Sequence, residues 1–230
     1  MTSDPDFATA ASLLADPARA AILARLLDGR AWTATELAKA AAIRPSTGSS
    51  HLSKLLEQGW ITVHPQGRNR YYRLAGDGIA SFLEGFASIA PSPGARTPGE
   101  VRASAALRHC RLCYDHLAGQ VGVAFTQNLR LRGWIDPAFQ LTQAGREGME
   151  AKSLLLADEE GRGCMDWSER RLHVAGPLGR SLIKAMMGAG WFQRDSNSRA
   201  LWVTPLGRDA LERGFGLVVD TTLTQARTTV

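Results

Sequence analysis

Apolar positions in the first ninety residues follow two periods in turn. After Asp16-Pro17, Ile22, Leu23, Leu26 and Leu27 recur on one helical face until Asp28-Gly29 stops the pattern. Thr33 or Thr35 is placed to cap a short second helix through Glu36, Leu37 and Ala40. A tight bend at 41–44 leads into Pro45-Ser46-Thr47, a second cap, followed by Leu52, Leu55 and Leu56 at helical spacing. The period then changes to two. Ile61 to His64 and Arg70 to Leu74 alternate as strands around the polar turn Gln66-Gly67-Arg68-Asn69, which predicts a β-hairpin with a basic tip. Helix, helix, turn, helix, hairpin is the order of a winged helix-turn-helix.

The segment 90–99 carries three prolines and two glycines, which remove amide donors and helix propensity together. It reads as a linker over 91–100 between a unit at 1–90 and a second at 101–230. The second unit repeats itself over about 108–150 and 165–215. His116-Leu117-Ala118-Gly119 returns as His173-Val174-Ala175-Gly176, and Gly133-Trp134 returns as Gly190-Trp191 at the same offset of 57. Thr142 and Gly145-Arg146 match Thr204 and Gly207-Arg208 at an offset of 62, so a loop between Trp and Thr is five residues longer in the second copy. Each copy reads as a helix ending in Gly-Trp, a short hairpin and a Thr-capped helix. The expected fold class is mainly α with small β-hairpins (α+β): an N-terminal winged helix-turn-helix, then a domain of two tandem winged-helix-like repeats.

Charge sharpens this picture. The whole chain is only mildly basic, 27 Lys and Arg against 22 Asp and Glu, and 44 % hydrophobic residues suffice for a core in each unit. Between Arg44 and Arg73, however, five basic residues face one acidic, Glu57, whereas the rest of the first ninety residues holds four basic and seven acidic. Positive charge concentrated on one helix and one hairpin suits a phosphate backbone. The small polar side chains at the helix start reach base edges or phosphates without blocking the groove. The candidate DNA contacts are Arg44, Ser46, Thr47, Ser49, Ser50, His51 and Lys54 of the helix and Arg68, Asn69 and Arg70 of the hairpin. The bland alternative is a helix cap with solvated hydroxyls.

Four segments, DPARAAIL at 16–23, TELA at 35–38, PSTGSSHLSKL at 45–55 and GRNRYYRL at 67–74, resemble the arsenic-repressor (ArsR) family of winged-helix transcriptional regulators in order and spacing. The resemblance covers residues 10–90. It implies a homodimer formed through the first and last helices of the domain, bound to a two-fold operator and released when an inducer is sensed. Independently, Ile79, Phe82, Leu83, Phe86 and Ala90 form an apolar stripe on the last helix, the expected dimer face. Two recognition helices would then lie about 34 Å apart and read a pseudo-palindrome.

Family members that sense metals often carry Cys-x-Cys after Glu-Leu, or His and acidic ligands on the dimer helix. Here Glu36-Leu37 is followed by Ala38-Lys39-Ala40, and residues 76–90 hold neither histidine nor cysteine. All three cysteines and three of five histidines lie in the second unit, so the candidate effector residues are Cys110, Cys113, Tyr114, His116, Cys164, Trp167, Arg170 and His173. A helix through 109–116 would set Cys110 and Cys113 one turn apart. Three readings stand. A soft metal is held by Cys113 and Cys164, with Cys110, His116 or His173 completing the shell. A thiol switch is activated by Arg108 and Arg111. Alternatively Cys113 and Cys164 are core residues, while Tyr114, His116, Trp167, Arg170 and His173 line an organic-effector pocket or hold the repeats together. DNA binding itself needs no cofactor on any of them.

The rival class is an enzyme, a winged-helix small-molecule methyltransferase or a thiol oxidoreductase. Against it, Gly119 to Gly122 follows no strand run that the pattern reveals and has no later acidic partner, and the cysteines lack a βαβ setting. No run of eighteen apolar residues and no basic, apolar leader occur, so the expected compartment is the cytoplasm, with no membrane partner.

Overall fold

The computed structural model describes residues 5–91, 97–196 and 198–220. They divide into two units, Met1–Leu83 and Glu84–Val230. The division falls inside a helix, ahead of the Pro- and Gly-rich segment. Residues 92–96 of that expected linker lie outside the described residues, and Pro98 already begins a helix.

In the first unit α1 (Phe7–Leu14) precedes α2 (Pro17–Leu26), which Asp16 caps by accepting from the Arg19 amide. β1 (Trp32–Thr33) leads into α3 (Ala34–Ala40), where Thr33 and Glu36 form a reciprocal capping box. Then come α4 (Pro45–Glu57), β2 (Ile61–Gln66), β3 (Asn69–Leu74) and α5 (Asp77–Ala87), whose residues from Glu84 onward fall in the second unit. The hairpin register runs from Ile61 opposite Leu74 to Gln66 opposite Asn69, as the alternation required. β1 adds to its edge, giving the order β1-β3-β2, a strand too short to leave a period in the sequence. Ile22, Leu23, Leu26, Leu37, Leu52, Leu55, Ile61 and Leu74 are buried in the core, while Leu56 is half-buried. Gly48 makes the α3 and α4 crossing close: a Cβ there would stand 3.0 Å from that of Ala38.

The second unit contains α6 (Pro98–His109), β4 (Arg111–Cys113), β5 (His116–Ala118), α7 (Gly119–Leu131), α8 (Gln143–Glu150), β6 (Arg162–Met165), β7 (Leu172–Ala175), α9 (Gly176–Gly188), β8 (Phe192–Arg194), β9 (Leu201–Val203) and α10 (Pro205–Phe215). Two expectations change. Residues 111–118 form a hairpin rather than a helix, because the small turn at Tyr114, with φ of 63°, folds Cys113 back opposite His116. A strand therefore does precede Gly119, but it is three residues long and antiparallel to its neighbour, not the parallel strand of a nucleotide-binding turn.

The internal repeat has structural substance. Each copy consists of a hairpin, a helix ending before Gly-Trp, a second strand pairing and a Thr-capped helix. That second pairing is a bridge between Ile135 and Leu141 in one copy and β8 with β9 in the other. Each copy thus begins on a hairpin where a winged helix has its helix-turn-helix. The helices exchange places across the repeat, α7 packing on β7 and α9 on β5, so each copy covers the other's strands. Thr142 and Thr204 cap α8 and α10 alike, and each hydroxyl also donates 2.7 Å to the carbonyl of Gly133 or Gly190. Gly145 and Gly207 are fixed by contact: a Cβ would lie 2.1 Å from the Trp134 carbonyl oxygen and 2.0 Å from that of Trp191. Gly207→Ala is accordingly expected to destabilise the second unit by about 1–3 kcal/mol through overpacking against backbone. A urea titration followed by tryptophan fluorescence checks this, and an unchanged midpoint contradicts it.

Candidate nucleic-acid interface and Cys/His cluster

α4 starts two residues earlier than a Ser46 cap requires. Arg44 occupies the cap position without a side-chain cap hydrogen bond, Pro45 fills the first turn, and Ser46 and Thr47 lie inside the helix. The first-turn amides are left for an outside acceptor, the arrangement that favours a phosphate. Arg44, Ser46, Thr47, Ser49, Ser50 and Lys54 are all exposed, and the Ser49 hydroxyl donates to the Pro45 carbonyl at 3.1 Å. His51 departs from this face. It is half-buried, with Nδ1 3.5 Å from the Arg19 guanidinium and 3.8 Å from Asp16 Oδ1, so it turns inward to the start of α2. At the tip of β2 and β3, Arg68, Asn69 and Arg70 are exposed, the Arg70 guanidinium lying 5.8 Å from the Tyr72 ring centre.

Along α5, Phe82 and Phe86 are 47 % and 43 % exposed and Ile79 is half-buried. Leu83 is only 7 % exposed, so it belongs to the core and drops out of the expected dimer face, while Ile89 beyond the helix is 79 % exposed.

In the second unit each of the two leading hairpins supplies one cross-strand Cys and His pair, Cys113 opposite His116 and Cys164 opposite His173. All four side chains are buried, and one ligand atom from each lies within 4.8 Å of every other. The two Sγ atoms are 3.8 Å apart and the two Nε2 atoms 3.1 Å. Ala118 and Ala175, equivalent in the repeat, form a small buried cluster with the two cysteines. Behind the imidazoles stand carboxylates: Asp115 Oδ1 is 3.2 Å from His116 Nδ1, and Asp166 Oδ2 is 3.5 Å from His173 Nδ1.

The four groups push one another's protonation apart. The hydrogen bond to Cys164, together with burial, raises the Cys113 thiol; the same bond lowers Cys164, outweighing burial with help from the two imidazoles. Burial opposes charge on His116, yet its bonds to Asp115 and Cys164 raise its pKa overall. Burial lowers His173, and the neighbouring His116 lowers it further.

The remaining candidates separate from this cluster. Cys110 packs in the main core with Leu112 and Phe125, and burial drives its thiol far up despite Arg111 beside it. The flanking arginine therefore does not activate that thiol. Tyr114 is buried in the β4–β5 turn, and Arg170 is exposed in the β6–β7 turn. Trp167 lies with its ring 4.7 Å from the Arg111 guanidinium.

Sequence reasoning missed what Arg111 does. Fully buried, it is 3.0 Å from Asp166 Oδ2 and 3.7 Å from Glu84 Oε2, and it donates to the Leu107 carbonyl and the Ser168 hydroxyl at 3.2 Å. Asp166 also accepts from the Gly119 and Ser168 amides at 2.7 and 2.9 Å. Burial would raise its pKa, but Arg111 and these donors hold it down at about 2. An arginine inside an apolar strand is the one signal that could have announced this network.

A helix-turn-helix domain model matches residues 14–64. A curated relative from Bacillus subtilis (strain 168), described as the uncharacterized HTH-type transcriptional regulator YdfF, is 39 % identical over 227 residues, covering 94 % of this chain and all of the relative. Among solved structures, NolR from Sinorhizobium fredii is 27 % identical over 37 % of this chain and 85 % of its own, with a TM-score of 0.34. The cadmium sensor CMTR from Mycobacterium tuberculosis is 32 % identical over 40 % of this chain and 95 % of its own, at a TM-score of 0.33. The whole-length likeness to the Bacillus protein decides the family, because it spans both units as well as the helix-turn-helix: the chain belongs to the HTH-type transcriptional regulators.

Proposed function

We propose that the chain acts as a repressor of the ArsR type: a homodimer that binds a pseudo-palindromic operator through α4 and the β2–β3 wing and is modulated through its second unit. The observation that carries the reading is the joint exposure of the α4 start and the arginine-tipped hairpin within one unit, where Arg44, Lys54, Arg68 and Arg70 all remain in solvent. The hydroxyls of Ser46, Thr47, Ser49 and Ser50 read base edges, while the arginines and lysine register the duplex on its phosphates. His51 is given no base contact, since it is half-buried against Arg19 and Asp16 at the start of α2. Dimerisation through α5 covers the parts of Phe82 and Phe86 that stay exposed in one chain, 47 % and 43 %.

Binding of the intact chain to duplex DNA from upstream of its own gene, measured across a salt series, tests this. With four or five phosphate contacts per protomer, log affinity falls against log salt with a slope of magnitude roughly seven to nine for a dimer. Binding that ignores salt overturns the reading.

A further inference from the structure

We propose that Cys113, His116, Cys164 and His173 form a closed tetrahedral site for a zinc-class divalent cation, which pins the two repeats of the second unit together. The inference does not depend on the operator reading and stands or falls separately from it.

Geometry carries it first. Two thiolates bound at about 2.3 Å across a tetrahedral angle lie about 3.8 Å apart, and two imidazole nitrogens bound at about 2.0–2.1 Å lie about 3.4 Å apart. The observed separations are 3.8 Å between the sulfurs and 3.1 Å between the Nε2 atoms, with every donor pair inside 4.8 Å. A core of small residues needs no such agreement. The two cysteines occupy matching strand positions, each opposite a histidine, so the pseudo-two-fold relation between the hairpins builds the site from two half-sites.

The imidazoles supply the second, independent argument. Asp115 Oδ1 is hydrogen-bonded to His116 Nδ1 at 3.2 Å, and Asp166 Oδ2 stands 3.5 Å from a His173 Nδ1 that makes no hydrogen bond among the described residues, so a carboxylate lies behind each imidazole with Nε2 turned inward. The two Nε2 atoms meet at 3.1 Å, within hydrogen-bond distance, so both rings already turn the same nitrogen to the point where a cation would sit. A cation bound also by the two sulfurs satisfies all four donors at once. Thiolate and imidazole in equal number select a borderline-soft ion over magnesium or calcium, and four protein donors leave no open position for substrate. The site is therefore structural in its coordination, with the metal as a staple between β4–β5 and β6–β7.

The test uses the full-length chain, reduced and stripped with chelator, titrated with cobalt(II) alone. The expected result is one cobalt per chain, with the visible bands of tetrahedral cobalt and a thiolate charge-transfer band, both bleached by one equivalent of zinc(II). Cys113→Ser and His173→Gln should each abolish the bands, whereas Cys110→Ala should keep them. Because a ligand variant can also unfold, Asp115→Asn provides a milder arm: its bands persist but cobalt affinity falls about 10–100-fold. Bands that survive Cys113→Ser and His173→Gln overturn the proposal. So does a freshly isolated chain that binds no cobalt after reduction, or one whose Cys113 and Cys164 are found only as a disulfide that reduction does not convert to a metal site.

Discussion

Replacing Arg68 and Arg70 together by alanine is expected to weaken binding to every duplex by a similar factor and to reduce the salt slope by about four for a dimer. The arithmetic follows from counterion release: every phosphate neutralised by a cationic side chain adds close to one unit of slope, and the double variant removes two arginines from each of two protomers. Both side chains stand in solvent at the hairpin tip, so their truncation costs the fold little and the weaker binding reports on the phosphates alone. Ser49→Ala and Ser50→Ala should behave differently. They leave the slope intact and change which sequences are preferred, because hydroxyls at the start of α4 address base edges. Competition binding against operator and random duplexes separates the two classes. A slope unchanged by the arginine variants, or an equal loss on all sequences from the serine variants, contradicts the division of labour.

The largest stability effect is expected at Asp166. Asp166→Ala strands Arg111, which is wholly buried and would retain Glu84 as its carboxylate partner at 3.7 Å, and it frees the Gly119 amide at the start of α7. Breaking a buried pair from one side costs about 3–5 kcal/mol, since the desolvated charge stays behind. Chemical denaturation of the chelated chain should show that loss in the second unit's transition. Arg170→Ala, four residues along and exposed, should stay within about 0.5 kcal/mol. A loss below about 1 kcal/mol for Asp166→Ala would mean that Arg111 is hydrated or otherwise satisfied.

The first unit was legible because its signals are local. Asp16-Pro17, the Thr33 and Glu36 capping box, and the alternation from Ile61 to Leu74 each declare an element through residues a turn or a strand pair apart. β1 was missed because two residues carry no period, and the inward turn of His51 left no local sign because Arg19 and Asp16, which it meets, lie some thirty positions earlier. In the second unit the repeat itself was visible, and so were the four Cys and His residues, as one alternative among several. Their grouping was one of those alternatives, but the two hairpins that make it were not legible. A helical spacing of Cys110 and Cys113 is locally plausible, and only the reversal at Tyr114 shows that Cys113 faces His116 across a hairpin while Cys110 enters the core. The partnership of Arg111 and Asp166 spans 55 positions, beyond the reach of any periodic pattern.

Selection of duplexes from a random-sequence pool by the intact chain tests the central claim most directly. The account predicts enrichment of an inverted repeat whose half-sites lie about 10 base pairs apart, centre to centre, bound by two chains. Enrichment of a single half-site or a direct repeat, or no enrichment over the starting pool, would contradict a two-fold regulator reading DNA through α4 and its wing.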